Sequence, residues 1–179
     1  MKFKRTLGIY EGFPNVYHGI ARFEFNTFLD ELQIAILNSI YKLNGKQVNS
    51  NLATLVGSDN VEIIFEAGVA DGLTFNYIDN EELKILIEEV NKEPFNTLDL
   101  FCIIRYYALK EGKRRALRFD YYFLRFLFGS REFEIQVFHE KGLQRISVKE
   151  LIKFLIKKIN LELAKSKKGF IKIRYLKTW

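Results

Sequence analysis

The chain has 179 residues, of which 48% are hydrophobic and 15% aromatic, and carries a net charge of +6. That is enough apolar material for a folded core and too much for a disordered chain. Its one cysteine, Cys102, excludes an internal disulfide and a cysteine-built metal cluster, and no run of about 18 apolar residues reads as a membrane span.

Residues 3–25 read as extended, with Phe3 and Leu7–Tyr10 as a first strand and Gly12, Pro14 and Asn15 as a turn. Tyr17–Phe25 reads as a strand in which Ile20 and Arg22 oppose Ala21, Phe23 and Phe25. Asn26 is placed to cap a helix over 27–43, whose stripe is Leu29, Leu32, Ile36, Ile40 and Leu43. The polar stretch 46–60 reads as a loop. Val61–Glu66 and Leu73–Ile78 flank AGVADG and predict a hairpin.

Asp79 and Glu82 make a capping box for a helix over 80–91, which Pro94 forbids from continuing. Leu98–Ala108 and Arg115–Phe128 are the strongest strand signals and bracket the basic turn KEGKRR. Arg131–His139 reads as a further strand, turning at Glu140–Gly142 into Leu143–Ile146. Ser147 and Glu150 cap a helix over 148–165, and Phe170–Leu176 forms a last strand.

The expected fold is therefore α+β: an antiparallel twisted sheet with about three helices packed on it, in one domain over residues 1–179. An internal echo raises a duplicated β-α-β arrangement, with halves 1–94 and 95–179. RFEFNTFLDEL (Arg22–Leu32) is echoed by RFDYYFLRFL (Arg118–Leu127), and LIEEVN (Leu86–Asn91) by LIKKIN (Leu155–Asn160). The offsets differ, so there is no clean tandem repeat, and Leu/Ile/Lys/Glu helices resemble one another by chance.

Charge is distributed unevenly. Residues 1–90 hold 7 Lys+Arg against 13 Asp+Glu, and residues 91–179 hold 21 against 9. Either the halves attract each other, within a chain or between copies, or the basic half meets an anionic partner. The second helix exposes Glu88–Glu89 and the third Lys157–Lys158, a pair that suits side-by-side packing or a two-fold interface.

Motifs for chemistry are sparse. His18 and His139 are the only histidines and match no metal-ligand spacing, and no phosphate-binding loop occurs. Cys102 sits among apolar strand residues, as an inert thiol does, with His139 on a neighbouring strand its one conceivable base. Glu24 and Asp120 hold equivalent places in the echo, and Glu62, Glu66, Glu132 and Glu134 alternate along strands. A cross-strand Arg–carboxylate lattice is the economical reading of these acids, ahead of Mg²⁺ binding. No catalytic residue, metal site or cofactor is read, and whether the chain is an enzyme stays open.

The functional expectation rests on the basic centre. Arg105 shares a face with Phe101, Ile103 and Tyr107. Past the turn, parity puts Arg114, Arg118, Asp120 and Tyr122 on an outward surface, and Arg115, Leu117, Phe119, Tyr121 and Phe123 on the core side. Arg105, Lys110, Lys113, Arg114, Arg115, Arg118 and Tyr122 are the expected contacts to nucleic acid or another anionic macromolecule, with Lys153, Lys157, Lys165, Lys167, Lys168, Lys172 and Arg174 widening the footprint. Two other classes compete: a protein-interaction or self-associating module such as a homodimer, and a small-ligand binder or enzyme with a pocket between helices and sheet. No membrane partner is expected. The start of the chain has no apolar signal-like stretch, so a cytoplasmic location is expected, and the Lys- and Ile-rich, Met- and Cys-poor composition suits a heat-adapted source.

Overall fold

Alternating apolar and polar side chains along the strands require a sheet with one buried face. The computed structural model, which describes residues 6–46, 48 and 61–179, has that layout. Its strands are β1 (Gly19–Phe25), β2 (Val61–Asp71), β3 (Thr74–Tyr77), β4 (Thr97–Lys110), β5 (Lys113–Ala116), β6 (Asp120–Phe128), β7 (Glu132–Lys141) and β8 (Ile171–Thr178). They form one antiparallel twisted sheet in the order β3-β2-β4-β6-β7-β1-β8, with β5 paired to β4. Among the described residues three helices pack on one face: α1 (Leu29–Leu43), α2 (Asn80–Lys92) and α3 (Val148–Lys165). The fold is α+β, as the sequence indicates. Phe3 and most of the loop expected over 46–60 lie outside the described residues.

α1 is the middle helix and packs against both α2 and α3. The acidic α2 and basic α3 therefore do not lie side by side within the chain. Leu32, Ile36 and Ile40 of α1 join Leu151, Leu155 and Ile159 of α3 over Phe23, Leu100, Leu124 and Ile135 of the sheet. Each such side chain stabilises the fold by about 1.5–3 kcal/mol.

The helix starts show which capping signals operate. Asp79 accepts a hydrogen bond from the Glu82 amide at 2.8 Å, and Ser147 accepts from the Glu150 amide at 3.2 Å. Asn26 does not cap α1: the N-cap residue is Phe28, and the Asn26 carboxamide instead accepts from the Phe170 amide at 2.8 Å. It thus holds the entry to β8. The expected hairpin at AGVADG is longer than foreseen, because β2 runs on to Asp71 and turns at Gly72, whose φ is 67°. Leu143–Ile146 is not a strand.

Leu7–Tyr10 is not a regular strand either. Gly8 wedges between the ends of β2 and β4, donating from its amide to Ala70 and accepting from the Asp99 amide. Tyr10 and Phe13 then cross the face opposite the helices and meet Phe75 and Phe123. The segment is fixed by charge as well. Asp99 is fully buried, is gripped by two Arg125 hydrogen bonds of 2.8 Å, and accepts the Tyr10 amide at 2.8 Å.

Candidate nucleic-acid interface

The β4–β5 hairpin is a basic arm. Lys110 pairs with Lys113 across its turn and Ala108 with Arg115. Lys110, Lys113, Arg114, Arg115 and Arg118 are all exposed. Arg114 lies 3.8 Å from the Tyr107 ring centre and bonds Glu62 at 2.9 Å. Among the described residues, Lys110, Lys113, Arg115 and Arg118 have no carboxylate partner. Arg105 stands nearer the sheet centre, 3.3 Å from Glu66 and beside Phe119.

Tyr122 is corrected. It is fully buried on the helix side, and its hydroxyl donates to the Ile146 carbonyl. The cause is a one-residue bulge. Ala116 faces Tyr107 while Asp120 faces Ile104, so the chain takes four steps here against three on β4. An extra residue inverts side-chain parity. Arg114 keeps its outward face, whereas Asp120 and Tyr122 turn inward and Tyr121 and Phe123 turn outward. For the same reason Asp120 is not equivalent to Glu24, which stays on the open face and pairs with Arg174.

Inward-facing Asp120 organises the base of the arm. Its carboxylate accepts four hydrogen bonds: Tyr106 hydroxyl 2.6 Å, His139 Nε2 3.0 Å, Gln144 amide 2.7 Å and Arg145 amide 2.9 Å. This replaces strand pairing as the anchor of residues 142–146. Burial, then the bond to Asp120, holds the Tyr106 phenol well above its usual range, and burial does the same to Tyr122. His18 lies against His139, accepting the His139 amide on Nδ1 at 2.9 Å. The fold thus brings the two histidines together, but among the described residues no three potential metal ligands converge.

Strand register assembles further cations at this end of the sheet. Tyr121 faces Lys141, Ile20 faces Lys177, and Gly19 abuts Val148 at the start of α3, next to Lys149. Arg145 reaches over the Tyr106 ring. Two exposed aromatics stand here as well. Trp179 and Tyr17 pack edge to face at 5.8 Å, with Lys177 over the indole at 4.8 Å. Sequence reasoning did not single out Lys141, Arg145, Lys149, Lys177, Tyr17 or Trp179, because only strand register brings them to the arm.

The remaining basic residues do not join this group. Lys165, Lys167, Lys168 and Lys172 lie at the opposite end, past the 18 residues of α3, or about 27 Å of helix. Lys168 pairs there with Glu31 at 2.5 Å. Across the open face, Arg22–Glu134, Arg105–Glu66, Arg114–Glu62 and Arg174–Glu24 form the anticipated lattice. Several of these pairs join a cation of the second half to a carboxylate of the first, so part of the charge asymmetry is cancelled within the chain.

Cys102 is buried and its thiol is pushed up to about 12 by desolvation. In the strand row Tyr122 stands between it and His139, which removes the one conceivable base. Among the described residues, no helix is long and apolar enough to cross a membrane. Comparison with family models, curated proteins and solved structures finds no match to this chain.

Proposed function

We propose that this protein binds nucleic acid through the sheet end that carries the β4–β5 arm. The observation that carries this reading is the exposed set Lys110, Lys113, Arg115 and Arg118, cations without a carboxylate partner among the described residues on and just past the β4–β5 hairpin. Elsewhere on the sheet Arg22, Arg105, Arg125 and Arg174 pair with carboxylates, so the hairpin's charges remain available for phosphates. Backbone contacts by Lys and Arg supply affinity without sequence choice. Tyr17 and Trp179 add exposed ring faces on which unpaired bases stack, a contribution of about 1–3 kcal/mol per base. Tyr122 has no part in the contact. The reading assigns no chemical step and no preference between DNA and RNA.

Trp179 is the only tryptophan, so its emission reports directly on this end of the molecule. Titration with short single-stranded and double-stranded DNA and RNA at low salt is expected to quench that emission saturably. Lys113→Ala plus Arg115→Ala weakens the binding. If no oligonucleotide changes the emission and none is retained in a parallel anisotropy titration, the reading is wrong.

A further inference from the structure

Among the described residues the sheet ends on β3 at one side and β8 at the other, and the helix layer ends unequally over them. Ile173 lies opposite Phe23 on the helix side of the sheet, yet it is 46% exposed where Phe23 is fully buried. α3 therefore covers β8 only in part, and a groove of about 640 Å³ runs between them. Its floor is Phe23, Ile152, Ile156, Ile171 and Ile173. The groove is bounded at both ends. The Asn160 side chain staples α3 to the Ile171 backbone at 2.8 and 3.2 Å, and Val148 abuts Gly19. The α3 bank carries Lys153 and Lys157. An apolar floor with a cationic bank selects an apolar body bearing negative charges.

The opposite edge of the same chain presents that chemistry. α2 exposes Glu81, Ile85 and Glu88 at helical spacing, with Ile85 48% exposed between the two acids. Two acids flanking an isoleucine on one edge complement two lysines flanking an apolar floor on the other.

We propose that the groove between α3 and β8 receives α2 of a second copy of this chain. Ile85 seats on the apolar floor, and Glu81 and Glu88 approach Lys153 and Lys157. The docked helix fills the vacant place in the helix layer and brings β3 toward the edge of β8. Charge decides against the symmetric alternatives. A β8–β8 contact would oppose Lys172, Arg174 and Lys177 with their like, and an α2–α2 contact would oppose acid with acid. The contact is therefore head to tail, and such contacts grow stepwise into rings or open chains. The contact uses none of the arm's own residues and does not depend on nucleic acid.

The test is sedimentation velocity of the nucleic-acid-free protein across a broad concentration range at low salt, with four samples. Wild type is expected to form concentration-dependent assemblies that salt dissociates. Lys153→Glu plus Lys157→Glu is one swap, and Glu81→Lys plus Glu88→Lys is the other. Each swap alone opposes like charges and weakens association at least about tenfold. Mixed together, the two are complementary at both contacts and reassemble. All four positions lie on the helix surface, and circular dichroism verifies that both variants stay folded. A monomeric wild type, swaps that associate as wild type does, or a mixture that stays monomeric each overturns the proposal. A monomer whose groove binds anilinonaphthalene sulfonate, displaced by dodecanoate, overturns it in favour of a small apolar anion.

Discussion

The Tyr106 hydroxyl donates to the Asp120 carboxylate at 2.6 Å, tying β4 to β6 just where the basic arm leaves the sheet. The same carboxylate accepts two backbone amides from residues 144 and 145. Replacing it by alanine strands four donors, His139 Nε2 among them, of which at least the Tyr106 hydroxyl is buried. Asp120→Ala is therefore expected to destabilise the protein by about 3 kcal/mol, measured by urea unfolding. A loss below about 1 kcal/mol would mean that water replaces these bonds, and that Asp120 does not anchor the arm.

The buried pair Asp99–Arg125 should be strongly non-additive. Arg125→Ala leaves a fully buried carboxylate with only the Tyr10 amide, at a cost of about 3–5 kcal/mol. Removing both partners, as Asp99→Ala plus Arg125→Ala, should cost less than the sum of the single changes. Additive losses in the four unfolding curves would contradict the pairing.

Tyr106 and Tyr122 impose an alkaline limit. Burial raises both phenols, and the bond to Asp120 raises Tyr106 further. Each holds its proton more tightly folded than unfolded. Their stabilisation is complete below the unfolded value, about pH 10, and is lost as pH rises beyond it. Unfolding free energy should therefore fall steeply above about pH 10, and Tyr106→Phe plus Tyr122→Phe should flatten that fall. An unchanged slope in the double variant would show that other groups set the limit.

Gly142 and Gly112 both have positive φ, 114° and 72°, but their surroundings differ. A Cβ at Gly142 would collide with Asp120 Oδ1 and the Phe119 carbonyl, whereas at Gly112 it meets nothing within 4 Å. Gly112→Ala should cost about 1 kcal/mol from backbone conformation alone, and Gly142→Ala clearly more. Equal losses by thermal unfolding would argue against the tight seat at Asp120.

Where one periodicity ran unbroken, the sequence was a reliable guide. The stripes of α2 and α3, the caps at Asp79 and Ser147, and the outward face of Arg105 all follow from residue spacing. Parity failed at the bulge between Ala116 and Asp120, because a single unpaired residue leaves no mark in composition. The inward turn of Tyr122 and the whole Asp120 network are consequences of that one step. Asn26 was misread because its side-chain partner, Phe170, is 144 residues away. Long-range register likewise hid the company of Lys141, Lys177 and Trp179 at the arm, and the separation of Lys165–Lys172 from it.

The central claim, that nucleic acid binds at the arm end, is tested most directly by the salt dependence of oligonucleotide binding in two variants. One removes Lys110, Lys113, Arg115 and Arg118 as alanines. The other removes Lys165 and Lys167 at the far end. For single strands each phosphate-bound cation contributes about 0.7 to the slope of log K against log salt. The arm variant should lose a large part of both affinity and slope, and the far-end variant should keep both. Equal losses in the two variants, or no binding by wild type at about 50 mM salt, would contradict the account.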